Sequence, residues 1–137
     1  MGSIGSPIVV GYIDTPEGQA ALERAIVEAD QRGARLIVVN SNRGGSHLDR
    51  DSSIELDAAL AQVHAQLQAS GIEHEIRQLV RGDDPAEDLI LVADEVDADL
   101  IVIGLRRRTP VGKLIMGSNS QAVLLDASCP VLAVKAP

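Results

Sequence analysis

The sequence predicts a single-domain α/β protein: a doubly wound, Rossmann-like, five-stranded parallel sheet in the order 3-2-1-4-5, with four helices. Three observations carry this. Short apolar runs alternate with amphipathic stretches, the pattern of parallel strands joined by helical crossovers. Two runs, Ile8-Val9-Val10-Gly11-Tyr12-Ile13 and Leu100-Ile101-Val102-Ile103, are almost uninterrupted in apolar residues, as in strands covered on both faces. The 137 residues, 45% of them hydrophobic, are enough for one buried core and contain no internal repeat.

Met1 to Ser6 lacks the charged and apolar regions of a signal peptide and reads as an extension or expression remnant before a domain over 7–137. The first strand covers Ile8 to Ile13. Thr15 then offers a hydroxyl cap and Pro16 suits the first helical position. Leu22, Ala25, Ile26 and Ala29 recur at helical spacing, and Gly33 ends that helix. Leu36 to Asn40 is the second strand, and the polar stretch 41–51 is a loop. Ser52 and Glu55 have capping-box spacing, ahead of an apolar face of Leu56, Leu60, Val63 and Leu67 closed by Gly71. The third strand, around 73–80, mixes Ile76, Leu79 and Val80 with polar residues, as an edge strand does. Gly82-Asp83-Asp84-Pro85 caps a helix striped by Leu89, Val92, Ala93 and Val96. Leu100 to Ile103 is the fourth strand, 104–117 a long loop, Ser118 the start of a short helix, and Pro130 to Val134 the last strand.

Charge and composition remove several functions. With 20 acidic against 12 basic residues the net charge is -8, a surface that repels nucleic acid and anionic membranes. Tyr12 is the only aromatic residue, so no base-stacking platform for single strands exists. No apolar run reaches the roughly 18 residues of a membrane span. Cys129 has no partner for a disulfide, which suits a reducing, cytoplasmic setting.

In doubly wound sheets, ligands sit beyond the C-terminal strand ends where the strand order reverses, here after strands one and four. That crevice gathers Gly11 and Ile13, Ser41, and the stretch from Gly104 onward. Gly104 lets backbone and ligand approach closely. Gly117, Ser118, Asn119 and Ser120 open a helix whose free N–H groups can face an anion, and Arg106, Arg107 and Arg108 stand nearby. The same residues serve a plain turn, a helix cap and a solvated basic group equally well.

Gly104, two residues, Arg107, nine residues and Gly117-Ser118 resemble the nucleotide motif of the universal stress protein family, in which a glycine stands where this chain has Arg107. Asp99 to Gly104, Cys129 to Val134 and Gly82 to Asp88 look like that family's flanking segments, so the likeness covers roughly residues 7–136. The resemblance implies a cytoplasmic stress-response module that forms a homodimer through its last, edge strand, Val131 to Val134. It also implies ATP or another adenine nucleotide as ligand, in a loop that is degenerate here. Aligning Thr15-Pro16-Glu17-Gly18 with the family's Ser-Pro-Glu places Ile13 where binding members carry an aspartate. Asp14, by strand alternation, points to the other face. Arg107 either fills the phosphate space or grips a phosphate itself, whether of ATP, AMP or a small anion.

Catalysis is not expected. No nucleophile elbow or P-loop is present, and a weak nucleotide hydrolase would need acidic metal ligands near the switch point. His47, His64 and His74 show no metal-ligand spacing, and Cys129 reads as a packed residue. The acidic groups Asp83, Asp84, Glu87, Asp88 and Asp94, Glu95, Asp97, Asp99 read as helix-dipole partners and solvated surface.

Overall fold

A computed structural model describes residues 5–41, 50–79, 84–106 and 118–136. In chain order the elements are β1 (Gly5–Gly11), α1 (Pro16–Arg32), β2 (Ala34–Ser41), α2 (Arg50–Ser70), β3 (His74–Leu79), α3 (Pro85–Glu95), β4 (Leu100–Leu105), α4 (Ser118–Asp126) and β5 (Val131–Lys135). All five strands pair in parallel, in the predicted order β3-β2-β1-β4-β5.

Strand alternation divides the core into two layers. Ile8, Val10, Leu36, Val38, Leu100 and Val102 meet Leu22 and Ala25 of α1 and Val63 and Leu67 of α2. Val9, Ile37, Ile101 and Ile103 turn the other way, onto Leu89, Val92 and Ala93 of α3 and Val123 of α4. Each fully buried Val, Leu or Ile contributes about 1.5–3 kcal/mol. The absence of Phe and Trp is therefore met by number.

The caps are where the residue types ask for them. Thr15 is extended, its hydroxyl accepts the Gly18 N–H at 3.1 Å, and Pro16 follows it. Gly33, at φ 63, closes α1 in a left-handed conformation. The Asp84 carboxylate accepts the Ala86 N–H at 2.9 Å to start α3.

Several boundaries differ from those expected. β1 occupies Gly5–Gly11 rather than 8–13, because Gly5 already pairs with Ala34 and the chain turns after Tyr12. The Tyr12 N–H still reaches the Val39 carbonyl at 2.9 Å, and then the Thr15 N–H bonds Ile13 O at 2.8 Å to swing into α1. β4 continues to Leu105, so Gly104 is a ladder residue opposite Val134, not the first residue of a loop. Ser52 lies inside α2, which begins at Arg50, and so does not cap it. Val96 sits at the C-cap of α3, still packed on the core. The last strand starts at Val131; Pro130 lies before it and accepts the Ile101 N–H at 3.0 Å. Among the described residues no helix is long and apolar enough to cross a membrane.

Candidate functional site

The strand order reverses between β1 and β4, and a pocket of about 140 Å³ opens at their C-terminal ends. Gly11, Tyr12 and Ile13 from the exit of β1 and Ile103 and Gly104 from β4 form its floor. Pro85, Ala86 and Leu89 of α3 make one wall, and Asn119, Ser120 and Val123 of α4 another. Glu17 and Gly18, in the first turn of α1, complete the rim. A cavity of roughly 150 Å³ admits a benzene-sized group, so the space suits one flat ring. Apolar walls with a few polar groups are the usual make-up of a small-molecule site.

The exit of β1 is held by the neighbouring strand. Buried Asn40, near the end of β2, donates its amide to the Tyr12 carbonyl at 3.0 Å. That bond keeps Ile13 at the pocket edge, 46% exposed. Ile13, the residue that the resemblance aligns with an aspartate of binding members, thus stands at the pocket edge. Asp14 lines a separate cavity with Ala58, Ala59 and Gln62 of α2, outside this pocket; because β1 ends at Gly11, the turn and not strand alternation places it there.

Gly104 lines the pocket, and helix packing also requires a glycine there. A Cβ at residue 104 would stand 2.1 Å from the Glu17 carbonyl oxygen, and one at Gly18 would stand 1.9 Å from that of Ile13. Gly104 lets the first turn of α1 press onto β4, and Gly18 lets that turn close against the Ile13 backbone that precedes it. Gly11 is less constrained: a Cβ there meets a Leu89 methyl at 3.1 Å.

Of the predicted site residues, Gly11, Ile13, Gly104, Asn119 and Ser120 come together around the pocket. Ser41 ends β2 and Ser118 opens α4, with their side chains outside the described residues. Arg107, Arg108 and Gly117 lie outside the described residues.

Sequence reasoning missed Glu17. Its carboxylate accepts the Arg106 Nε–H at 2.8 Å, and the residue is 8% exposed. It is also the one charged side chain among the described lining residues. Burial alone would raise its pKa. The Arg106 hydrogen bond, its own backbone, the Thr15 hydroxyl and the Arg106 charge together outweigh burial and hold it below the usual carboxylate range. The available signal was a glycine, Gly18, inside a helical first turn, which marks close backbone approach.

Elsewhere the chemistry is quiet. Burial first, then the charges of Asp94 and Asp99, push the Cys129 thiol up, away from the reactive thiolate. His64 and His74 stack edge to face at 5.3 Å. Among the described residues no group of three or more His, Cys, Asp or Glu gathers as metal ligands would.

The sequence profile described as "Universal stress protein family" matches residues 6–135. A universal stress protein of Mycolicibacterium smegmatis is 46% identical over 93% of this chain and 96% of its own length. The universal stress protein of Archaeoglobus fulgidus in complex with dAMP is 34% identical, with a TM-score of 0.76 over 97% of this chain and 100% of that one. A universal stress protein in complex with cAMP is 27% identical, with a TM-score of 0.74 over 98% of this chain and 100% of that one. With sheet order, profile and relatives in agreement, the chain belongs to the universal stress protein family.

Proposed function

We propose that this protein is a non-catalytic, cytoplasmic stress-response module that works as a homodimer and binds an adenine ligand, with ATP the weakest of the series. The observation that carries the ligand reading is the pocket itself, ring-sized, mostly apolar and set at the switch point under the first turn of α4. Solved family members holding dAMP and cAMP support an adenine compound as occupant. Two features argue against a tightly held triphosphate. Ile13 offers no charged hydrogen bond to the ligand, a loss of about 1.5–3 kcal/mol, or roughly tenfold to over a hundredfold in affinity. Glu17 is already engaged by Arg106, and Asp14 lies elsewhere, so neither is free to hold a cation against phosphates.

Isothermal calorimetry with cyclic AMP, AMP and ATP tests this reading. Saturable binding of the first two, weaker binding of ATP, and a gain of about tenfold for all three in Ile13→Asp are expected. Heats that never saturate for any of the three overturn it and leave a module that acts through protein contacts alone.

Support for the homodimer comes from the backbone of β5. The Ile101 N–H bonds Pro130 O and the Ala136 N–H bonds Leu105 O, so even-numbered residues face β4. In a parallel ladder the alternate residues Val131, Ala133 and Lys135 then turn their N–H and C=O groups outward. Such an open apolar edge invites a second strand.

A further inference from the structure

We infer that Glu17, tied to Arg106, sets the charge selectivity of this pocket, so that an uncharged nucleoside is accepted in preference to the same base carrying phosphates. This rests on the adenine-ligand reading and goes beyond it by naming the residue that discriminates.

Glu17 belongs to the pocket wall, and it is the only formal charge among the described lining residues. With the residue 8% exposed, little water or salt screens that charge from a ligand beside it. The nearest described cation does not compensate for a bound anion, because Arg106 already gives its Nε–H to Glu17 at 2.8 Å. A phosphate placed beside Glu17 meets one of two obstacles. It can draw Arg106 away, which leaves a buried carboxylate without its partner. Otherwise it lies beside an intact pair and meets like charge on a chain of net charge -8. A neutral ligand avoids both, and a hydroxyl or amine on it can donate to a lone pair of Glu17 that Arg106, Thr15 and its own backbone leave unused.

The residue positions favour this arrangement. Glu17 is placed by Pro16 at the helix start and by the close packing of Gly18, while Arg106 is the first residue after β4. The first turn of α1 and the end of β4 are pressed together at Gly104, which fixes the backbone and Cβ of Glu17 close to the end of β4. Arg106, with its side chain 53% exposed, is the mobile member of the pair.

Calorimetric dissociation constants for adenosine and AMP in the native protein, Glu17→Gln and Arg106→Gln give the test. Each protein yields its own AMP-to-adenosine ratio, so a general loss of stability cancels within the ratio. The native protein should hold adenosine more tightly than AMP. Glu17→Gln frees Arg106 for the phosphate and should shift the ratio toward AMP by about tenfold. Arg106→Gln leaves Glu17 uncompensated and should shift it toward adenosine. A structural role alone does not produce opposite signs. AMP bound more tightly than adenosine by the native protein, a ratio unmoved by both variants, or a shift of the same sign in both overturns the inference while the ligand reading stands. Absence of saturable binding for either compound in the native protein overturns the ligand reading and this inference with it. Should Glu17→Gln not fold, the half-exposed Arg106→Gln decides alone by the direction of its shift.

Discussion

At Gly104 a methyl group in place of hydrogen would lie 2.1 Å from a backbone carbonyl oxygen, while at Gly11 it would lie 3.1 Å from the end of a leucine side chain. A leucine methyl can swing aside; a carbonyl in the first turn of a packed helix cannot. Gly104→Ala should therefore destabilise the protein by about 1–3 kcal/mol, and Gly11→Ala by clearly less, as read from urea denaturation midpoints. Equal costs at the two positions would show that α1 moves more freely than its contacts suggest. Gly104 was legible in the sequence as a residue that matters, but its contact with the first turn of α1 was not. Glu17 was not legible as a pocket residue. An acidic side chain in a first helical turn already has an explanation in the helix dipole, and only the fold brings it to Arg106, 89 residues further on.

The elements most faithfully written in the sequence are those with side-chain punctuation. Thr15, Pro16 and Gly33 bracket α1, and Asp84 and Pro85 start α3, because each residue satisfies a backbone group locally. Strand ends carry no such local signal, since a partner strand decides where pairing stops. β1 therefore began earlier than its apolar run, and β4 ran on past Ile103 as long as β5 accompanied it. The capping-box spacing at Ser52 misled for a related reason: the pattern also occurs within helices. β5 carries a test of the homodimer. The Ala133 N–H faces away from β4, so Ala133→Pro removes an outward donor and spares the internal ladder. Sedimentation should show the native protein as a dimer and this variant as a folded monomer. A variant that remains dimeric moves the interface off this edge.

On the scale of the whole molecule, the near-continuous apolar runs announced a sheet buried on both faces, and both core layers are found. The position of the crevice followed from topology alone. Its charge did not, because that depends on two side chains far apart in sequence. Alkaline stability follows from Tyr12, which is 3% exposed. Burial, and then the negative charge of Asp14, raise its phenol above the ordinary value near 10. The unfolded chain loses this proton first. The stabilisation is thus complete below the unfolded value of about 10 and is lost as pH rises through the folded one. Urea midpoints should fall more steeply above pH ~10 in the native protein than in Tyr12→Phe, a comparison that cancels the lysines. Parallel slopes would mean the phenol ionises without regard to the fold.

Tyr12 has one more consequence. With no tryptophan or phenylalanine in the chain, its ring is the sole intrinsic chromophore of the near ultraviolet, and it borders the crevice. Emission and near-ultraviolet dichroism therefore report from a single address, and any occupant that seats itself beside β1 must write its arrival into that one signal.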